Sequence, residues 1–470
     1  MERPLRTRGE RCRLAGMHWA TPEERRKLGQ ARRKQVGRQQ HDELRAKARQ
    51  GTALELLERA ERGRLAALVR LKHERMAESP FGYFRGAVAV MAADLSRLPN
   101  TGIGSQICGD AHVHNVGAFA APDGRLVFDL NDFDETTRGP FEWDLKRMAA
   151  SLVVAGREAG QKDGAARGAA ELCVERYCAK MHALAKMPTM EAARVQVHRM
   201  NAAEPVEEAL KKAERAKPEH LLKMLTEPAG GAKDSGRRFR EVKPVLTRLT
   251  GAQAQRVLAA LGPYRATLEP ERQHLLALYR PVDVAFKVVG TGSVGLRDYS
   301  IYFEGNGPGD PLFLQVKEVV ASAYAAYLPE GQLGTHGAGH EGLRVVDGQR
   351  AMQVESDPLL GWTQMGGRDY VVRQLNDHKA SVEMQDLSGA GLEAFAEVCG
   401  ELLARGHARS GDPLMIAGYL GSGGGAGGGF AEAVAKWGAA YADQTEKDRE
   451  ALKRKMGRGH ATKSSKGDAK

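Results

Sequence analysis

Apolar residues recur along this chain at two periods, and the switch between them divides it. Leu54, Leu57, Leu65, Leu68 and Val69 share one stripe, which predicts a helix over 52–74. Ser79-Pro80 breaks the pattern, a helix is expected over 81–95, and Leu98-Pro99 ends it. Leu145, Met148, Ala149, Leu152 and Val153 repeat at i, i+3, i+4, i+7 and i+8, an amphipathic helix with Asp144 placed to cap it. Cys173, Tyr177, Met181 and Leu184 suggest another. Residues 186–240 are polar and rich in Lys and Arg, with a helix expected at 205–226 and a flexible segment at 229–236. The period then falls to two: Val284, Phe286 and Val288 alternate, and strands follow at 299–303 and 312–316 around a turn at 305–310. Helical spacing returns at 340–356, a strand is expected at 370–375, and Leu392, Phe395, Val398, Cys399, Leu402 and Leu403 mark a helix over 391–407. A glycine-rich linker at 421–429 leads to a last helix carrying Phe430, Val434, Trp437 and Tyr441.

Composition refines this picture in one respect. The chain has 470 residues, 42% of them hydrophobic, enough for a large core and two lobes with extensions. Its net charge of +11 is unevenly spread: residues 1–50 carry +9, residues 445–470 carry +5, and the body between them −3. The expectation is a near-neutral folded body with a basic, solvated N-terminal arm and a basic disordered tail. Weak polyanion binding through those tails is a corresponding partner expectation, and a chain trimmed to 51–444 should stay folded. The five cysteines form no CxxC pair, which fits a reducing cytoplasm, and no apolar run reaches the length of a membrane span.

The densest candidate chemistry lies between Cys108 and Asp144. Asp110 and Asn115 stand five apart in a loop with no apolar period, Pro122-Asp123-Gly124 signals a turn, and Leu126-Val127-Phe128 reads as a strand ending near Asp132-Phe133-Asp134. Phosphoryl transfer needs such parts: a carboxylate for the acceptor hydroxyl, and an Asn and an Asp for Mg²⁺. A second region, Gly290-Thr291-Gly292-Ser293-Val294-Gly295, is a G-x-G-x-x-G run followed by a strand instead of a helix. That order favours a loop covering phosphates in a small β lobe over a dinucleotide fold, with Lys317 at the end of a later strand to bind them.

Gly109-Asp110-Ala111-His112-Val113-His114-Asn115, Asp132-Phe133-Asp134-Glu135 and Trp143-Asp144-Leu145 resemble the G-D-x-H-x-x-N, D-F-D/G and W/Y-D-L motifs of kinase-like phosphotransferases, in particular their aminoglycoside-kinase branch. The whole chain is similar to a bacterial family catalogued as a domain of unknown function, through SPFGYFRG (79–86), CGDAHVHN, KVVGTGSVG (287–295) and FLQVKE (313–318), over roughly residues 52–445. The kinase-like resemblance implies an α+β, protein-kinase-like two-lobed fold with helical extensions. Because the catalytic loop precedes the Gly-rich loop, the reverse of the usual order, it also implies circular permutation.

The expected organisation is a basic arm (1–50), a helical catalytic lobe (51–280), a β-rich nucleotide-binding lobe (281–380), C-terminal helices packing back on the catalytic lobe (381–444) and the tail. The expected activity is ATP- and Mg²⁺-dependent phosphotransfer to a hydroxyl-bearing acceptor, small molecule or protein. Asp110 and His112 would be catalytic; Asn115, Asp132 and Asp134 would hold Mg²⁺; Gly290, Gly292, Gly295 and Lys317 would hold the nucleotide. The resemblance makes Asp144 a buttress of the catalytic loop. A helix partner for Lys317 is sought among Glu341, Glu355, Gln349 and Gln353. Nucleotidyl transfer, a catalytically silent nucleotide-binding protein, and a metal-dependent phosphoesterase opening on Asp110-Ala111-His112 are the alternatives.

Overall fold

A computed structural model describes residues 13–14, 17–18, 20–45, 49–198, 204–216, 218–230, 236–288, 290–328, 339–375, 380–421 and 429–464. The expected flexible segment at 229–236 and linker at 421–429 lie mostly outside these residues, as does the end of the tail. The fold is a mixed α/β one in which all pairings between named strands are antiparallel.

One core is helical. The helix Glu142–Glu158 is buried from Glu142 through Gly156, against the helices Asp163–Leu184 and Phe430–Ser464. The helix Ala390–Ser410 lies on Asp163–Leu184 so closely that a Cβ at Gly400 would meet the Cys173 carbonyl oxygen at 2.1 Å. The chain's C-terminal helices thus return to the body begun by its first half.

The second core surrounds a six-stranded sheet in the spatial order Leu246–Leu249, Arg280–Lys287, Asp298–Glu304, Pro311–Val319, Arg368–Gln374 and Gly361–Met365. One face carries Val284, Ile301, Leu314 and Val316 against Val257, Ala260 and Tyr264 from helices at 251–277. The other carries Ala285, Tyr302 and Phe313 against Leu221, Leu222 and Leu225. The β-rich unit therefore takes in the strand at 246–249 and covering helices that the expected boundary at 281 assigned elsewhere. Those helices showed no link to a sheet because their partners are distant in sequence.

Three further expectations are corrected. The helix expected over 52–74 is two, Ala53–Ala60 and Ala66–Glu78. Gly63, at φ +84°, makes the break, and beyond it the Leu65 N–H donates to the Gly295 carbonyl at 2.7 Å. The N-terminal arm is docked where it is described: the helix Pro22–Gln35 packs on Pro413–Leu420, Arg25 forms a two-pronged pair with Asp412 at 2.7 and 2.8 Å, and Arg49 pairs with buried Asp94. Charge counting reads such a helix as solvated because it does not see Gly29, where a Cβ would strike the Met415 carbonyl oxygen at 1.9 Å. The tail continues the last helix to Ser464; Leu452 is buried among Leu56, Leu57 and Met76, and Arg49 pairs with Asp448 at 2.8 Å. Trimming to 51–444 would remove both contacts, so that trimmed chain would be weakened.

Candidate functional site

The site is built by a chain excursion closed twice. The ribbon Gly104–Ile107 with Thr137–Pro140 pins its neck, with Ile107 opposite Thr137. Further out, the hairpin Val116–Ala120 with Leu126–Leu130 pins Val116 opposite Leu130 and turns at 122–124, where Gly124 has φ +82°. Between the two ladders, loops 108–115 and 131–136 run side by side. Gly109 permits this approach: at φ +76° it lies where a Cβ would meet the Glu135 carbonyl oxygen at 2.2 Å. Asp110, His112 and Asn115 come from one loop, Asp132 and Asp134 from the other.

The helix Glu142–Glu158 holds this arrangement from below through residues that share a face. Asp144 accepts the Cys108 and Gly109 N–H groups at 2.8 and 3.0 Å and lies 3.3 Å from His407 Nε2. Arg147 donates to Asp110 Oδ1 through Nε at 2.7 Å and through a second guanidinium nitrogen. Ser151 Oγ accepts the Val113 N–H at 3.0 Å. Asp144 is thus a buttress, as the resemblance implied, and not the helix cap, which falls at Phe141. Sequence reasoning missed Arg147 and Ser151; polar residues at i+3 and i+7 from Asp144, on the same face of its helix, are the signal that marks them.

A cleft of about 880 Å³ opens above, between these loops and the sheet. Lys317 reaches it because side chains alternate along Pro311–Val319: Leu314 and Val316 face the helices, while Gln315, Lys317 and Val319 face the cleft. The Lys317 ammonium lies 2.5 Å from Asp134 Oδ2 and 3.8 Å from Asp132 Oδ2. Burial opposes its charge, but the two carboxylates outweigh burial and raise its pKa. Gly290, Gly292 and Ser293 line the same cleft. Gly295 does not; at φ +95° it packs on Arg64 instead. Among the described residues none of the four helix residues sought for Lys317 pairs with it: Glu341 pairs with Arg344, and Gln349 donates to Gln353. Arg344 also donates to the Thr136, Asp134 and Val320 carbonyls, fixing the acidic loop to the sheet lobe.

The carboxylates are differently placed. Both Arg147 bonds fall on Asp110 Oδ1, so Oδ2 faces the rest of the site, 3.7 Å from His112 Nε2. Burial raises the Asp110 pKa above the usual carboxylate value, with Arg147 opposing. His112 is driven well below its ordinary pKa by burial, aided by Arg85 and Arg147, and is neutral. Asn115 Nδ2 donates to the Asp110 carbonyl at 2.9 Å, which commits its amide nitrogen and leaves its carbonyl oxygen as the ligand-type atom. Among the described residues no group of three or more His, Cys, Asp or Glu forms a metal cage. The available oxygens are an open set of the kind Mg²⁺ completes with phosphate and water.

Fold and site together define a mixed α/β protein with a charged cleft between a helical body and an antiparallel sheet. The chain belongs to the bacterial family described as "Uncharacterized protein conserved in bacteria (DUF2252)", which matches residues 64–455. No curated protein and no solved structure matches it. Among the described residues no helix is long and apolar enough to cross a membrane.

Proposed function

We propose that this chain is an ATP- and Mg²⁺-dependent phosphotransferase on a circularly permuted, kinase-like two-lobed fold, acting on a hydroxyl-bearing acceptor. The observation that carries this reading is the meeting of Lys317 with Asp134 and Asp132 in a cleft also lined by Gly290, Gly292 and Ser293. Residues some 180 positions apart in sequence are brought together in the combination a triphosphate site needs. The return of the C-terminal helices to the helical body supports the permutation, since a permuted chain keeps its site when the joined ends lie close.

Each group then has a task. Asp110, through Oδ2, takes the acceptor's proton, and its raised pKa makes it a better base than an exposed carboxylate. Arg147 fixes that carboxylate, and neutral His112 shapes the loop without adding charge. Lys317 and the backbone at 290–293 bind the phosphates. Asn115 and Asp132 would hold Mg²⁺, with Asp134 a further ligand once Lys317 moves to the phosphates. Bound Mg²⁺ neutralises phosphate charge and aligns the group for transfer.

The test is calorimetric titration with ATP, with and without Mg²⁺, alongside ATP consumption in the presence of hydroxyl-bearing acceptors. Mg²⁺-dependent binding with ADP released is the expected result. Release of pyrophosphate would move the assignment to nucleotidyl transfer, and absence of ATP binding would overturn it.

A further inference from the structure

The phrase SPFGYFRG opens the helical stretch expected to serve as scaffold ahead of the central loop, and its arginine lines the cleft. Arg85 stands at the end of the short helix Pro80–Gly86, held by Phe81, Tyr83 and Phe84, all buried. It lines the cleft with Asp110, Asp132, Gly292 and Lys317. The glycine-rich loop lies directly against it: a Cβ at Gly290 would be 3.5 Å from an Arg85 guanidinium nitrogen, and one at Gly292 would be 3.5 Å from the Arg85 carbonyl oxygen.

Among the described residues no hydrogen bond or ion pair reaches this guanidinium, and its Nε is buried without a partner. Asp110 and Asp132 act on it only through space, and burial lowers its pKa. Arg147, deeper in the same body, is by contrast bonded to Asp110, to the Phe84 carbonyl and to Met91. A guanidinium has five donors, and leaving them unsatisfied in a partly buried place is costly. An arginine with a structural role would have used them as Arg147 does.

The cations around Arg85 point the same way. Arg64 donates to the Val294 carbonyl at 2.7 Å but has a buried Nε with no hydrogen-bond partner among the described residues. Lys72 is buried with its ammonium 3.5 Å from Glu61, at the limit of a hydrogen bond, and His73 approaches the same oxygen at 2.8 Å. Arg64 and Lys72 both line the cleft. Three under-satisfied cations from residues 64–85 therefore join Lys317 around one space.

We infer that Arg85 is an anion-binding residue of the cleft, its guanidinium taking phosphate oxygens of a polyphosphate that also contacts Lys317 and the backbone at 290–293. This deepens the phosphotransferase reading and rests on it only for the identity of the polyphosphate as ATP. A planar fork of donors suits two phosphate oxygens at once, which a lysine at the same place would not match.

The experiment uses inorganic tripolyphosphate and ATP as separate probes, titrated into the full chain and into Arg85→Met. Tripolyphosphate affinity should fall at least tenfold in Arg85→Met, with Arg85→Lys between it and the parent. The melting midpoint of unliganded Arg85→Met should not fall, because no bond is lost; a purely structural arginine would behave in the opposite way. Arg85→Gln, which keeps a polar end group without the charge, tests the same point should the methionine variant fail to fold. Equal tripolyphosphate affinity in parent and variant overturns the inference, and so does a parent that binds neither probe. If Arg85→Met keeps both ATP binding and turnover, the inference falls and the phosphotransferase reading stands. If the parent binds tripolyphosphate through Arg85 but has no affinity for ATP, the inference stands and that reading falls.

Discussion

The two sides of the cleft carry opposite charge and are satisfied to different degrees. The acidic side comes from one excursion, 108–136, clamped by two ladders and supported by one helix. Asp110 is bonded to Arg147, Asp134 to Lys317, and Asp144 below them accepts two backbone N–H groups. The basic side draws Arg64 and Arg85 from a helical segment ahead of that excursion and Lys317 from a strand far behind it. Among the described residues Arg85 has none of the bonds that hold its acidic counterparts. The acidic side is thus held by bonds within the protein, and the basic side keeps donors that the proposed polyphosphate would take up. Preorganised charge on one side and unsatisfied donors on the other suit a site that positions a hydroxyl against an anion.

The sharpest way to break this comparison is to change the acidic side one carboxylate at a time. Asp110→Asn should leave ATP binding nearly intact while turnover falls about 10²- to 10⁴-fold, the loss typical of a missing general base. Asp132→Asn should weaken the Mg²⁺-dependent part of ATP binding and abolish turnover. Calorimetry with and without Mg²⁺, beside an ATP-consumption assay, reads both. Because the Asp110 pKa is raised, parent activity should rise with pH as that carboxyl loses its proton, and fall in acid. An Asp132→Asn protein that binds Mg²⁺-ATP like the parent would show that the metal assignment is wrong.

The support beneath the acidic side gives the next largest effect. Asp144→Ala leaves the Cys108 and Gly109 N–H groups buried without acceptors and His407 without its neighbour. The expected loss is on the order of 3 kcal/mol, read by denaturant unfolding. A loss below about 1 kcal/mol would mean the loop is held chiefly by its two ladders.

How much of this could be read from the sequence follows the same division. The acidic side was legible because its residues are contiguous: the turn at 122–124, the strand after it and the Asp pairs occupy one stretch, and local order dictates local geometry. Lys317 was legible because alternation along a strand gives a side chain its face. Arg85, Arg64 and Lys72 were not, since nothing local says that a basic residue in a helical segment will face a glycine-rich loop more than 200 positions later. Gly295 misled for a related reason: the motif spacing was right, but its backbone turns onto Arg64, a contact with no local signature. The docked arm and tail were missed because net charge describes composition and not which face of a helix is buried.

The helices that carry the basic side are themselves clamped by the chain's far end, which allows a third test. Leu452 packs with Leu56, Leu57 and Met76, in the two helices that flank Arg64. Leu452→Ala should cost about 2 to 3 kcal/mol as a cavity in a buried cluster. If the basic side depends on that clamp, tripolyphosphate affinity should fall along with stability. Asp144→Ala, acting on the other side, should disturb turnover more than tripolyphosphate affinity. Equal loss of tripolyphosphate affinity in the two variants would mean that the sides of the cleft are not independently supported.

The smallest effect concerns a carboxylate set behind the basic side. Asp298 stands opposite Lys317 in the sheet register, is buried, and accepts a hydrogen bond from Gln315 at 2.6 Å, while its Oδ1 has no hydrogen-bond partner among the described residues. Burial raises its pKa to about 7 against an ordinary 3.8, with Lys317 opposing the rise. The folded chain therefore keeps a proton that the unfolded chain releases between about pH 4 and pH 7. The stabilisation from that proton is fully present below the unfolded value and is lost as pH rises through the folded one. Asp298→Asn holds the neutral state at every pH and can still accept from Gln315, with its new NH₂ at the position that lacks a partner. Its stability relative to the parent should rise across that window and level off above pH 7, by on the order of 2 kcal/mol once relaxation around the ionised group is allowed for. Denaturant unfolding at pH 5 and pH 8 reads the difference directly. A difference that does not change with pH would mean that Asp298 is ionised throughout and belongs, with Asp132 and Asp134, to the charge that balances Lys317.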